Sequence, residues 1–259
     1  MRKTITLLTA ALLGLALSGQ ALAAKHVITA SDGVESHLTD FGQGEKGVLL
    51  VHGEGGSCAE WTAIAEKMQV AGFHVAAIDL RGHGEGRATL TEEDYPKMIA
   101  DVVAGAEWLR AAGATEISVV GAGLGANLAL NAAVVDSAGV SRLVLISPRP
   151  NIHGVKVLSA AASFPGEALM ISSTQQALEV RTVDALAQKF TGKKHTYTVE
   201  ANSSGVALIE REPAVLGLVM SWAGGTFNVA TVEDQGLQTN VNTGDVTGVQ
   251  TTGKKFGEE

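Results

Sequence analysis

The feature that most constrains this chain is a series of short apolar runs that do not alternate with polar residues. Residues 47–52 (GVLLVH), 74–80 (HVAAIDL), 117–120, 142–146 and 168–172 are each almost continuously apolar. A strand with one face in water alternates, whereas a strand buried on both faces does not. Stretches with helical spacing lie between these runs: residues 59–71, the set Ile99, Val102, Val103, Ala106 and Leu109, then 124–135, 180–190 and 213–222. Thr91 with Asp94 three residues on has a capping-box-like pattern and starts a helix in this reading. Residues 27–41 read as two short strands around a turn at Asp32-Gly33, and 196–199 as a last strand. Strands alternating with helices predict an α/β fold, a three-layer α/β/α sandwich with a mainly parallel sheet. Ligand sites in such sheets lie beyond the carboxyl ends of the strands.

The two ends of the chain read differently. Arg2 and Lys3 precede an apolar run from Thr4 to Leu17, and Ala21-Leu22-Ala23 is a small-x-small cleavage signal. Residues 1–23 therefore read as a secretory signal peptide of bacterial style, which places the mature protein in the periplasm or outside the cell. The run falls short of the roughly 20 residues needed to span a bilayer, and no later segment qualifies as a transmembrane helix. Residues 24–223 form the domain in this reading. Residues 224–259 are rich in Gly, Thr, Asn and Val without a helical period, and read as a flexible tail. The charge is −8, and loss of the first 23 residues removes two positive charges to leave −10. That acidity argues against nucleic acid or anionic lipid as the main partner. Cys58 is the only cysteine, so no intrachain disulfide can form.

Three motifs close three of the strands. His52-Gly53-Glu54-Gly55-Gly56-Ser57 follows the first buried run, with Trp61 just beyond. Asp79-Leu80-Arg81-Gly82-His83-Gly84 follows the next, and Gly121-Ala122-Gly123-Leu124-Gly125 joins a strand to a helix. In this order they resemble the α/β-hydrolase superfamily, in particular compact bacterial members with no substantial lid, over residues 27–222. The resemblance implies a sheet of about eight strands.

The same resemblance locates the sites where a Ser-Asp-His triad would stand. In the family pattern Gly-x-Ser-x-Gly the central residue is the nucleophile; here Gly121 and Gly125 flank Gly123, which has no side chain. The acid follows the strand holding Met170 and Ile171, where this chain has Gln175 or Gln176, and an amide cannot stabilise an imidazolium. The base follows the last strand, where this chain has Ser204. The resemblance therefore implies a degenerate triad and a pseudoenzyme. Backbone donors of an oxyanion hole survive side-chain loss. By analogy these are the N–H groups of Leu124 and Glu54, so Gly53, Glu54, Gly123 and Leu124 are the expected ligand-binding residues.

Other chemistry-bearing residues have plainer readings. His52 and His83 shape loops in the family motifs. Ser57 is a loop and capping residue, and Cys58 a small residue starting a helix near the presumed pocket mouth. Arg149 and Arg181 read as solvated charges. His26, His37, His74, His153 and His195 show no metal-ligand spacing, so neither metal nor cofactor is implied. The function expected is a non-catalytic, exported hydrolase-like protein that binds a small ligand or a protein partner. Two alternatives stay open: an esterase or peptidase with a rearranged site using Ser57, Cys58 or Ser204, and an envelope scaffold.

Overall fold

A computed structural model describes residues 23–228, so the expected signal peptide up to Leu22, and residues 229–259 of the expected tail, lie outside the described residues. The strands of the main sheet are β1 (Ala24–Thr29), β2 (Glu35–Phe41), β3 (Lys46–Val51), β4 (His74–Asp79), β5 (Glu116–Ala122), β6 (Val140–Ile146), β9 (Glu167–Ser173) and β10 (Lys194–Val199). The short β7 (Asn151–Ile152) and β8 (Val155–Lys156) form a separate hairpin after β6. The sheet order is β1-β2-β4-β3-β5-β6-β9-β10. β1 and β2 run antiparallel to their neighbours, and the six strands from β4 to β10 are parallel.

The non-alternating runs do what both-face burial requires. In β3, Leu49 and Val51 point to one core and Val48 and Leu50 to the other. The first core is closed by α2 (Ile99–Ala111), α3 (Leu124–Ala133), α4 (Leu158–Ser163) and α5 (Ala177–Lys189). The second is closed by α1 (Thr62–Val70), α6 (Val206–Arg211) and α7 (Pro213–Ala223), with Trp61 and Trp222 fully buried. The result is the expected three-layer sandwich with eight strands in its central sheet.

Several boundaries depart from the sequence reading. Thr91 does not open an α-helix: its N–H and hydroxyl both donate to the Asp94 carboxylate, in a turn that leads directly into the segment before α2. Pro96 then starts a short 3₁₀ segment, and α2 begins at Ile99. Likewise residues 58–61 are 3₁₀ and α1 starts at Thr62. The hairpin at 151–156, α4 and α6 were not expected, because each is too short to show a period. The expected tail does not begin at Gly224. Phe227 lies 5.0 Å from the Trp222 ring and 4.8 Å from His195, and Lys46 donates to the Gly224 carbonyl, so the chain stays docked through that point. Among the described residues no helix is long and apolar enough to cross a membrane.

Candidate functional site

The turn between β5 and α3 sets the site. A Cβ on Gly121 would lie 2.3 Å from the Gly125 carbonyl oxygen, and one on Gly125 would lie 2.3 Å from the Val51 carbonyl oxygen. Glycine at both positions lets β3, β5 and α3 approach at backbone contact. Between them Gly123 has φ 56° and ψ −117°, a conformation that L side chains rarely adopt. A Cβ there would meet nothing nearer than Gly53 Cα at 4.0 Å, so the position opens onto free space. That space is a cavity of about 510 Å³ at the carboxyl ends of the strands. As the first residue of α3, Leu124 has an N–H with no intrahelical acceptor.

Of the residues singled out in the sequence, Gly53, Glu54, Gly123, Leu124 and Ser204 all line this cavity. Gln175 is exposed and Gln176 half-buried, and neither is among the lining residues. Among the described residues no histidine lines it. His52 is fully buried; its Nε2 accepts from the Leu80 N–H at 3.1 Å, so its Nδ1–H donates to the Gly53 carbonyl at 2.7 Å. Burial pushes its pKa down to about 4, which keeps it a neutral loop-shaping group. His83 similarly bonds the Arg81 carbonyl and the Gly55 N–H. Ser57 and Cys58 are not at the mouth of the Gly123 cavity: they line a separate one of about 530 Å³ beside β2. The Cys58 N–H is held by the Asp79 carboxylate at 2.7 Å, which anchors the loop there, and burial pushes the thiol pKa up.

Of the lining residues that carry chemistry, Ser147 and Glu179 were passed over in the sequence reading, whereas Arg149 was read there as a solvated charge. Ser147 follows β6, is buried, and has φ 53°, one of two non-glycine residues with positive φ among those described. Its hydroxyl accepts from the Gly205 N–H at 2.9 Å. Glu179, in the first turn of α5, is 1% exposed, and no hydrogen bond of good geometry reaches either carboxylate oxygen. Burial pushes its pKa up; the neighbouring Ser147 hydroxyl, the Arg149 charge and the Ser173 backbone N–H oppose this only in part. Arg149 lines the cavity as well, although its side chain is exposed. A signal for Glu179 was present: it is spaced three, four and seven residues before Thr182, Val183 and Leu186, on the buried stripe of α5. Ser147 stands one residue past a run already read as a strand, where parallel sheets place their sites.

The rim is tied down by two groups. The side chain of Asn127, fully buried on α3, donates to the carbonyls of Arg149 and Val155 at 2.9 and 2.8 Å and accepts from the Arg149 N–H. At the tip of the β7–β8 hairpin, His153 stacks on Tyr95 at 3.9 Å and bonds Glu54 at 2.7 Å and Glu92 at 2.9 Å. Those two carboxylates hold its pKa above the usual histidine range.

This sheet order, the glycine-bracketed turn and the cavity above it can be set against known proteins. The family model described as the alpha/beta hydrolase fold matches residues 47–190. The chain belongs to that family. Among curated proteins it is similar to a thermostable monoacylglycerol lipase of Bacillus sp. (strain H-257), 30% identical over 122 residues. That match covers 47% of this chain and 43% of the lipase, so the chain spans less than half the length of the relative. Solved structures with the same fold include an esterase of Pyrococcus furiosus, with TM-score 0.63, 20% identity, and coverage of 78% of this chain and 91% of the esterase. A dienelactone hydrolase of Anabaena variabilis gives TM-score 0.65 and 19% identity, covering 81% of this chain and all of that one. At such identities the solved structures speak to the α/β-hydrolase fold alone.

Proposed function

We propose that this α/β-hydrolase-fold chain is an exported, non-catalytic protein that holds a small ligand in the cavity above Gly123. The observation that carries this reading is Gly123 itself. Its backbone keeps the sharp turn on which the family mounts a nucleophile, its missing Cβ faces the cavity, and nothing stands there to attack. Gly123, Ser204 and Gln175 or Gln176 are in this reading the places of nucleophile, base and acid. Among the described residues no histidine lines the cavity, and the base expected by family position is replaced by Ser204, which has no group to take a proton near neutrality. The backbone donors at Leu124 and Glu54 would remain to receive a ligand oxygen. A cavity of this size suits a small molecule better than a protein segment.

One observation favours a second reading, a hydrolase whose nucleophile has moved. Ser147 sits on the cavity wall in a strained conformation beside a buried carboxylate, and the curated relative named above is a lipase. Strain of roughly 1–3 kcal/mol is often kept where a site needs it. Intact-mass analysis after treatment with a fluorophosphonate probe separates the two. The binding reading expects no adduct. An adduct mapped to Ser147 would establish the hydrolase reading in its place. Export is tested by N-terminal sequencing of the protein recovered from a bacterial host: cleavage between Ala23 and Ala24 is expected, and a mature chain that retains Arg2 and Lys3 would refute it.

A further inference from the structure

We propose that His153 is a pH-sensitive latch on the rim of the Gly123 cavity, tying the tip of the β7–β8 hairpin to the loop after β3 while its ring is protonated and widening access to the cavity when it is not. The inference goes beyond the ligand-binding reading, because it concerns entry to the cavity whichever chemistry the cavity serves. Two walls meet at this point. Ile152, next to His153, lines the cavity from the hairpin, and Glu54 lines it from the loop after β3. The His153 ring joins that loop to the segment before α2. Its Nε2 lies 2.7 Å from a Glu54 carboxylate oxygen and its Nδ1 lies 2.9 Å from a Glu92 carboxylate oxygen. Its face stacks on Tyr95, with ring centroids 3.9 Å apart and planes 15° from parallel.

Both ring nitrogens thus face a carboxylate at hydrogen-bonding distance. An ionised carboxylate only accepts, and a neutral imidazole has one N–H and one lone pair. Only the doubly protonated ring satisfies both contacts. Loss of a proton sets a lone pair against one of the two acids, and that contact must open. The groups facing the ring are Glu54 from the loop after β3, and Glu92 and Tyr95 from the segment before α2. Asp94 in that segment is already bonded to Thr91 and Lys97. On the hairpin's own segment the charged side chains are Arg149 and Lys156. The base of the hairpin does not depend on the histidine: Asn127 and Asn131 of α3 donate to the carbonyls of Arg149, Val155 and Lys156. The tip does. Its strands are two residues each, and His153 turns the chain at φ 46°, a left-handed backbone that costs energy for a residue with a Cβ. The contacts of the ring offset that cost, so losing one of them releases the tip while the base stays in place.

Thiol labelling of the full chain tests this without any ligand. Cys58→Ser removes the only native thiol, and Ala207→Cys places one on the cavity lining. Its reaction with dithiodipyridine is followed from about pH 5 to about pH 9, with His153 intact and with His153→Asn. Asn tolerates the left-handed backbone but does not titrate. Taking the ratio of the two rates at each pH removes the ionisation of the thiol itself. Exposed charge pairs are individually weak, so His153→Asn is expected to label about twofold or more faster at the acid end. The ratio should fall to one as pH rises through the titration of His153. Glu92→Gln, whose amide can accept from one form of the ring and donate to the other, should flatten the pH dependence while His153 is intact. Glu107→Cys in place of Ala207→Cys, on the exposed face of α2, should give a ratio of one throughout. Ser204→Cys is a second reporter on the same cavity and should repeat the Ala207→Cys result. A ratio of one at acid pH at both reporters would overturn the inference. So would a ratio above one that does not change with pH, since a purely structural contact would give that result.

Discussion

At the scale of single residues the site is defined by what glycine permits and what glutamate resists. Gly123 holds φ 56° without a Cβ clash, whereas a serine there would carry the strain. Gly123→Ser is expected to lower stability by about 1 kcal/mol or more in urea unfolding, and to produce no ester hydrolysis alone. A variant as stable as the parent would mean that the turn relaxes. Glu179 makes an opposite demand. Because burial raises its folded-state pKa, its contribution is most favourable at acid pH, where the carboxyl is protonated in both folded and unfolded chains. That contribution is lost as pH rises from the ordinary glutamate range through the raised folded value. Stability of the parent relative to Glu179→Gln should therefore fall across that window in denaturant titrations. A difference that does not vary with pH would show that Glu179 ionises in the folded protein as freely as in the unfolded one.

At the scale of elements, the β7–β8 hairpin closes the cavity rim through a histidine between two acids. The raised pKa of His153 means that this contact is fully favourable below the ordinary histidine range and is lost as pH rises through the raised value. Amide exchange in residues 151–156 should accordingly speed up with increasing pH beyond its intrinsic base catalysis. His153→Ala should remove the extra acceleration. If parent and variant show the same profile, the hairpin is held by Asn127 and packing alone. What was legible in the sequence follows the same division. The long buried strands and α1, α2, α3, α5 and α7 announced themselves because both-face burial suppresses alternation and a long helix repeats its apolar stripe. The hairpin, α4 and α6 did not, being set by tertiary contacts such as Asn127 to Val155. Glu179 was missed because the expected start of α5 fell one residue after it, and Ser147 because the motif reading looked only at family positions.

At the scale of the whole molecule, the domain extends past the limit drawn from composition. Phe227 packs on Trp222 and His195 at the end of the second core, so Phe227→Ala should lower stability by about 1–2 kcal/mol. An unchanged unfolding midpoint would place the domain boundary back near Gly224. The central claim is that a family fold built around a nucleophile turn here binds without reacting. Steady-state hydrolysis of p-nitrophenyl butyrate by the purified chain, beside Ser147→Ala and Gly123→Ser, tests it most directly. The account predicts that all three run at the uncatalysed rate. Turnover by the parent chain that disappears in Ser147→Ala would contradict it.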